Sequence, residues 1–231
     1  HGWYGTNDHQ SSSTTFDPVS GKERMPPGYN ATNMTHDAVS FVERNRSQPW
    51  MLILSWNPPH PPYDDAPADL KKKYPAGDMQ LRPNSVATVQ QGVGRRVSEI
   101  RTDLTGYNAH IEGIDIEMAR LLRTLDETGQ ADNTIVVYTS DHGEMMGSHN
   151  RTGKRVPHEE SCKVPFIVRA PGTQLNRKTD AMLGAIDIYP TLCGLAGIPV
   201  PATCMGQDLS GVIRGENIQG PEHQFLMHIA K

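Results

Sequence analysis

Thr134-Ile135-Val136-Val137-Tyr138-Thr139-Ser140, followed by Asp141-His142-Gly143-Glu144, is a β-branched and aromatic run that stops abruptly at ionisable side chains. The run predicts a buried strand of a parallel sheet. In open α/β sheets the chemistry sits just beyond the carboxyl ends of such strands, and Asp141 and His142 stand at that point. Gly143 lets the backbone turn sharply behind them. A carboxylate beside an imidazole at a strand end is a candidate pair of metal ligands. An aspartate after a strand also commonly serves a turn or a helix cap.

The segments on either side extend the pattern. Downstream come Gly147-Ser148-His149, Gly153-Lys154, His158-Glu159-Glu160-Ser161 and a second predicted strand over 164–169, ending in Pro171-Gly172. Asp187 is predicted to open a short helix through Ala196 that Gly197 and Pro199 end. Upstream, 85–128 read as mostly helical: Ile111, Ile114, Met118, Leu121, Leu122 and Leu125 recur at helical spacing, and Gly129 suits the C-terminal cap. His110 and Asp115, inside that helix, are expected to make structural hydrogen bonds. Trp50 to Trp56 is predicted as a further strand, and the proline-dense 58–67 as a rigid loop leaving its end. Thr35 is a suitable N-cap for a helix through Arg44, with Ala38, Phe41 and Val42 on the buried side. The first thirty residues read as irregular surface structure. Strand alternating with helix predicts an α/β fold, a doubly wound and mainly parallel sheet flanked by helices.

Composition narrows the class. The 231 residues can bury a substantial core, and 36% hydrophobic residues with 21 glycines and 18 prolines describe a loop-rich globular protein. A net charge of −4 gives no polyanion-binding surface, so no nucleic-acid partner is expected. No apolar run approaches the ~20 residues of a membrane span. Cys162, Cys193 and Cys204 read as small apolar fillers, with a Cys193–Cys204 bridge open as an alternative. Lys71-Lys72-Lys73 reads as a solvated face.

In order and spacing, the Asp141-His142-Gly143-Glu144 turn, Gly153-Lys154, Glu159-Glu160 and the strand from Val164-Pro165 to Pro171-Gly172 resemble the sulfatases of the alkaline phosphatase superfamily. The resemblance continues through Asn57-Pro58-Pro59-His60-Pro61-Pro62-Tyr63, Asp187-Ile188-Tyr189-Pro190-Thr191-Leu192 and Gly206-Gln207-Asp208-Leu209, covering about 28–215. It implies an alkaline-phosphatase-like fold, here partial, with 1–231 as the central and C-terminal portion of a sulfatase catalytic domain.

The resemblance implies roles as well. Asp141 and His142 match ligands of a divalent cation, with calcium favoured; the nitrogen of His142 also suits manganese or a similar ion. Lys154 matches the lysine that contacts the sulfate, and His60 the histidine that hydrogen-bonds the ester and protonates the leaving alkoxide. Both are expected to be catalytic and substrate-binding, while His149 and His158 are weaker candidates for the pocket wall. Glu144 is expected to orient the turn and Glu159 to fix the loop.

The family's nucleophile, a formylglycine made within a (Cys/Ser)-x-Pro-x-Arg motif, has no matching motif here, nor does its first aspartate pair; Asp64-Asp65 lies in another loop. The expectation is therefore a fragment, with the nucleophile in a missing N-terminal segment and a further subdomain beyond the C-terminus. Such a fragment alone would be inactive and poorly stable. For the full-length protein the resemblance implies hydrolysis of small-molecule or carbohydrate sulfate esters and export to a periplasmic, extracellular or lysosomal location. The alternatives are a phosphonate monoester or phosphodiester hydrolase on the same scaffold, and a non-catalytic relative that binds sulfated glycans.

Overall fold

Apolar side chains recurring on one face make the longest element. In the computed structural model this is α3, Val97–Glu127. The structure describes residues 9–10, 15–16, 20, 22–24, 27–85, 96–173, 176, 178–216, 219–224 and 226. Two compact units emerge: one of His1–Ala131 with Met145–Thr152, the other of Asp132–Glu144 with Gly153–Lys231.

In the first unit, Glu99 caps the start of α3 by accepting from the Arg96 backbone N–H at 3.1 Å. Gly129, just past its end, takes the left-handed conformation (φ 69°) expected of a helix terminator. The predicted start near 85 lies beside 86–95, which fall outside the described residues. The buried stripe holds Ile100, Ala109, Ile114 and Leu125 together with His110 and Glu117, whereas Ile111 is exposed.

Against α3 packs α1, Asn30–Arg44, which buries Ala31, Met34, Ala38 and Val42. This helix begins five residues before the expected cap. Tyr29, in an extended conformation after Gly28, ends the preceding loop, so Thr35 is interior and its hydroxyl donates to the Ala31 carbonyl at 2.8 Å. The first free N–H of α1, on Asn30, is satisfied by the carbonyl of His9 at 2.8 Å. A short helix α2, Ala68–Lys71, adds Leu70 to a cluster with Ala66, Ala109 and Tyr74. A two-residue antiparallel ladder joins β1, Thr15–Phe16, to β2, Glu23–Arg24.

The segment 50–56 departs from expectation. It takes no regular secondary structure, and exposed Met51 and Ile53 alternate with half-buried Leu52 and Leu54 without a ladder partner among the described residues. Alternation and β-propensity favour extended backbone; a strand additionally needs a neighbour. Its two ends are pinned by indoles, Trp50 Nε1 to Gln130 Oε1 at 2.9 Å and Trp56 Nε1 to Thr35 Oγ1 at 3.1 Å.

In the second unit, both strands nearest the candidate site form, β3 over Val136–Thr139 and β4 over Phe166–Arg169, but β3 is shorter than predicted and half-buried to exposed rather than buried. They pair antiparallel, with Val136 opposite Arg169 and Thr139 opposite Phe166. The ladders among the described residues are thus antiparallel, and the parallel pairings expected of the doubly wound sheet are not among them. Helix α4, Glu159–Cys162, precedes β4.

Helix α5, Ala185–Ala196, ends at left-handed Gly197 as predicted, and α6, Ser210–Arg214, follows it. Cys193 is buried and Cys162 exposed; Cys193 and Cys204 are free thiols, so the bridge does not form, and Cys162 is no core filler. Among the described residues no helix is long and apolar enough to cross a membrane.

Asp187 is the polar keystone of this unit. Its buried carboxylate accepts from the backbone N–H of Gly184 at 2.8 Å, from that of Gln207 at 2.8 Å and from the Gln224 side chain at 2.8 Å. Asp187→Ala strands all three donors and is expected to cost about 3 kcal/mol, read by chemical denaturation of the intact protein. Asp187→Asn, which keeps one acceptor oxygen, should lose less. An alanine variant within about 0.5 kcal/mol of the parent would contradict this role.

Candidate functional site

The chain leaves β3 at Thr139 and turns at once. His142 Nδ1 donates to the carbonyl of Gly143 at 2.8 Å, which orients the ring and turns Nε2 toward Asp141. That Nε2 lies 3.3 Å from Asp141 Oδ2. Two ligands each about 2.0–2.1 Å from a shared ion stand roughly this far apart, so the pair has the spacing that ligation requires. Asp141 Oδ1 is oriented by the backbone N–H of His142 at 3.0 Å and by the Ser140 hydroxyl at 3.3 Å. The Asp141 side chain is 81% exposed and that of His142 35%, so the donors face outward, as an open coordination position needs.

The turn is secured from below. Gly143 donates its backbone N–H to the Ser161 carbonyl at 2.8 Å. A Cβ on Gly143 would lie 2.1 Å from the Glu160 carbonyl oxygen, so only glycine fits there. Glu144 accepts from the backbone N–H of Gly153, so it orients the loop as expected and places Lys154 one residue along. Glu159 does not fix that loop with its side chain; it is exposed and pairs with Lys163 at 3.4 Å, one helical turn away. His158 stands at the start of α4, where its carbonyl accepts from the backbone N–H groups of Ser161 and Cys162.

His60 and His149 belong to the first unit. His149 is exposed and left-handed (φ 53°); its backbone N–H donates to the Asn84 carbonyl at 3.0 Å, and its Nε2 meets the Asn84 amide at 3.2 Å. His60 sits on a turn whose backbone N–H donates to the Asn57 carbonyl at 3.1 Å, and its Nδ1 meets the Pro61 carbonyl at 2.7 Å. The bonds before Pro59 and Pro62 are cis.

What holds the loop of His60 was not visible in the sequence. Asp65 Oδ2 accepts from the His9 backbone N–H at 2.8 Å, while Oδ1 lies 2.8 Å from His9 Nδ1 and 3.3 Å from His110 Nε2. His9 Nε2 meets the Asn57 amide at 3.2 Å, and His110 Nε2 meets the Pro62 carbonyl at 3.3 Å. His110 Nδ1 faces the Tyr29 hydroxyl at 2.9 Å. Burial first, then neighbouring His9, pushes the pKa of His110 down to about 4, so its ring is neutral near pH 7. Burial likewise pushes the Tyr29 phenol above its ordinary value, aided by Asp65 and Glu117. His110 makes the structural hydrogen bonds expected of it; His9, in the stretch read as irregular surface, is fully buried.

Known proteins share this arrangement's sequence and fold. The family described as Sulfatase matches residues 2–198. The ulvan-active sulfatase of Formosa agariphila is 31% identical over 208 residues, 87% of this chain and 39% of that protein. The endo-4-O-sulfatase of Bacteroides thetaiotaomicron is 29% identical over 230 residues, 94% of this chain and 43% of that protein. The chain therefore spans about two fifths of these relatives' length. A Bacteroides fragilis structure described as a sulfatase superposes with a TM-score of 0.81 at 28% identity, covering 93% of this chain and 48% of that one. With such neighbours the fold is the alkaline-phosphatase-like α/β fold, and the chain belongs to the sulfatase family.

Proposed function

We propose that the protein to which this chain belongs hydrolyses sulfate esters, and that the chain supplies half of the cation site and the groups that meet the sulfate and the leaving alcohol. The observation that carries this reading is the pair of Asp141 and His142, with the His142 ring oriented by Gly143 and the two donor atoms 3.3 Å apart. Asp141 and His142 would hold a divalent cation, calcium in first place and manganese in second; two donors fit part of a calcium shell of 6–8 oxygens or a mixed shell for manganese. When bound, the cation draws negative charge from the ester, and a formylglycine nucleophile, expected outside these residues, supplies the bond to sulfur.

The chain's own residues do the rest. Lys154, carried by the loop that Glu144 ties down, offers an ammonium to a sulfate oxygen, where it offsets charge that grows in the transition state. His60 carries the proton that the departing alkoxide needs, an imidazole N–H being a suitable general acid. His149 and His158 are assigned to the pocket wall. The names of the two relatives favour a carbohydrate sulfate as substrate, and export from the cytoplasm goes with that choice.

The test is sulfate release from an aryl sulfate by the intact protein, with and without chelator, wild type against Asp141→Ala. Release that chelator abolishes, and that falls by about 10³-fold in the variant, is the expected result. A folded intact protein that releases sulfate equally well after chelation, or in the variant, contradicts the assignment. Turnover of an aryl phosphonate in preference to the sulfate would move the reaction to phosphoryl transfer, and no turnover of either would leave a glycan-binding protein.

A further inference from the structure

We propose that His9, His110 and Asp65 form a second cation site of this chain, one that takes a first-row divalent ion of the zinc class. Their donor atoms lie within 4.8 Å of one another. Both imidazoles are fully buried, while the Asp65 side chain keeps 18% of its surface exposed, which leaves a path for an ion. The rings meet edge to face, centroids 4.6 Å apart and planes at 67°, so their nitrogens converge on the carboxylate.

The spacing suits ligation. His110 Nε2 and Asp65 Oδ1 are 3.3 Å apart, which is about the ligand–ligand distance of a tetrahedral site with bonds of about 2.0–2.1 Å. His9 Nδ1 stands closer to the same oxygen, at 2.8 Å, and needs to open by about 0.5 Å to match it. The Pro62 carbonyl, 3.3 Å from His110 Nε2, is a fourth donor at hand.

The surrounding groups are those that a ligated histidine needs. An imidazole that gives one nitrogen to a metal must hold its proton on the other and donate it. The far nitrogen of His9 meets the Asn57 amide, and that of His110 meets the Tyr29 hydroxyl. The Tyr29 hydroxyl can accept as it stands, whereas the Asn57 amide, whose nitrogen faces His9, must turn its carboxamide over to present Oδ1. Asp65 Oδ2 is already oriented by the His9 backbone N–H, leaving Oδ1 for the ion. Two nitrogens and one carboxylate select zinc, cobalt or iron(II) over calcium, which prefers oxygen throughout. A bound ion would fasten Asn57, Pro62 and Asp65 at one point, and His60 lies between them.

The test uses the intact protein carrying Asp141→Ala and His142→Ala, so that the other candidate pair cannot bind. After chelation, cobalt(II) is titrated in and the visible d–d absorption followed, with zinc as competitor. The expected result is about one equivalent bound with the strong bands of low coordination, all displaced by zinc. His9→Gln and Asp65→Asn, each checked by circular dichroism, should weaken binding by about 100-fold or more. If a histidine variant fails to fold, Asp65→Asn and the parent titration decide. No strong bands with folded parent protein, or binding unchanged in Asp65→Asn, would overturn the proposal and leave a hydrogen-bonded anchor.

Discussion

On the proposed function, Gly143→Ala is expected to weaken the divalent-cation affinity of the intact protein by about 10–100-fold and to lower sulfate release by at least as much. The added methyl group would sit 2.1 Å from the Glu160 carbonyl oxygen and 3.0 Å from its carbon, where no side chain can yield because both atoms are backbone. Relief must come from the turn itself. Moving the turn breaks the Gly143 N–H bond to Ser161 at 2.8 Å and carries away the carbonyl that fixes the His142 ring. With that carbonyl displaced, the ring is free to turn and the 3.3 Å spacing to Asp141 is lost. The effect should fall mainly on metal affinity: adding excess cation should recover part of the rate. Wild-type affinity in a folded Gly143→Ala protein would show that the turn is not held as described.

Gly106→Ala should reverse a familiar sign. Alanine in place of a helical glycine ordinarily stabilises by about 1 kcal/mol. Here the new Cβ would lie 1.8 Å from the Tyr63 carbonyl oxygen and 2.6 Å from its carbon. Helix α3 and the loop after His60 must then separate by more than 1 Å, and overpacking of this kind costs about 1–3 kcal/mol. We expect a net loss of about 1–2 kcal/mol in chemical denaturation. If His60 has the role proposed above, a shift of about 1 Å can cost about 100-fold in rate, so kcat should fall although Gly106 lies away from His60 in the sequence. A variant more stable than the parent would show that the loop moves aside freely.

Local signals read well and remote ones did not. The strand before Asp141, the strand before Ala170 and the helix opened near Asp187 are each specified by residues a few positions apart, and each forms. The orienting role of Glu144 was legible because its partner, Gly153, belongs to the same short loop. Thr35 misled because a good capping side chain lies inside a helix that Gly28 and Tyr29 had already begun. Trp50 to Trp56 misled because propensity can favour an extended chain but cannot name the strand beside it. Spacing made a Cys193–Cys204 bridge conceivable, yet it says nothing of where the sulfurs lie, and they stay apart as thiols. The meeting of His9, Asp65 and His110 has no local signature at all. It arises where α1, α3 and the proline loop converge, and no stretch of sequence contains the three together.

That convergence also has a meaning in time. His9 reaches Asp65 across 56 positions of the chain, and His110 reaches Tyr29 across 81 and Pro62 across 48. Loops of such length cost entropy before they return any stability, and so they are expected to close late in folding, after the helices that flank them. A contact still absent when the chain crosses its folding barrier leaves the folding rate nearly unchanged and slows unfolding instead. The setting of His60 is then a matter of kinetic persistence, renewed each time the protein refolds and lasting as long as those few distant contacts hold.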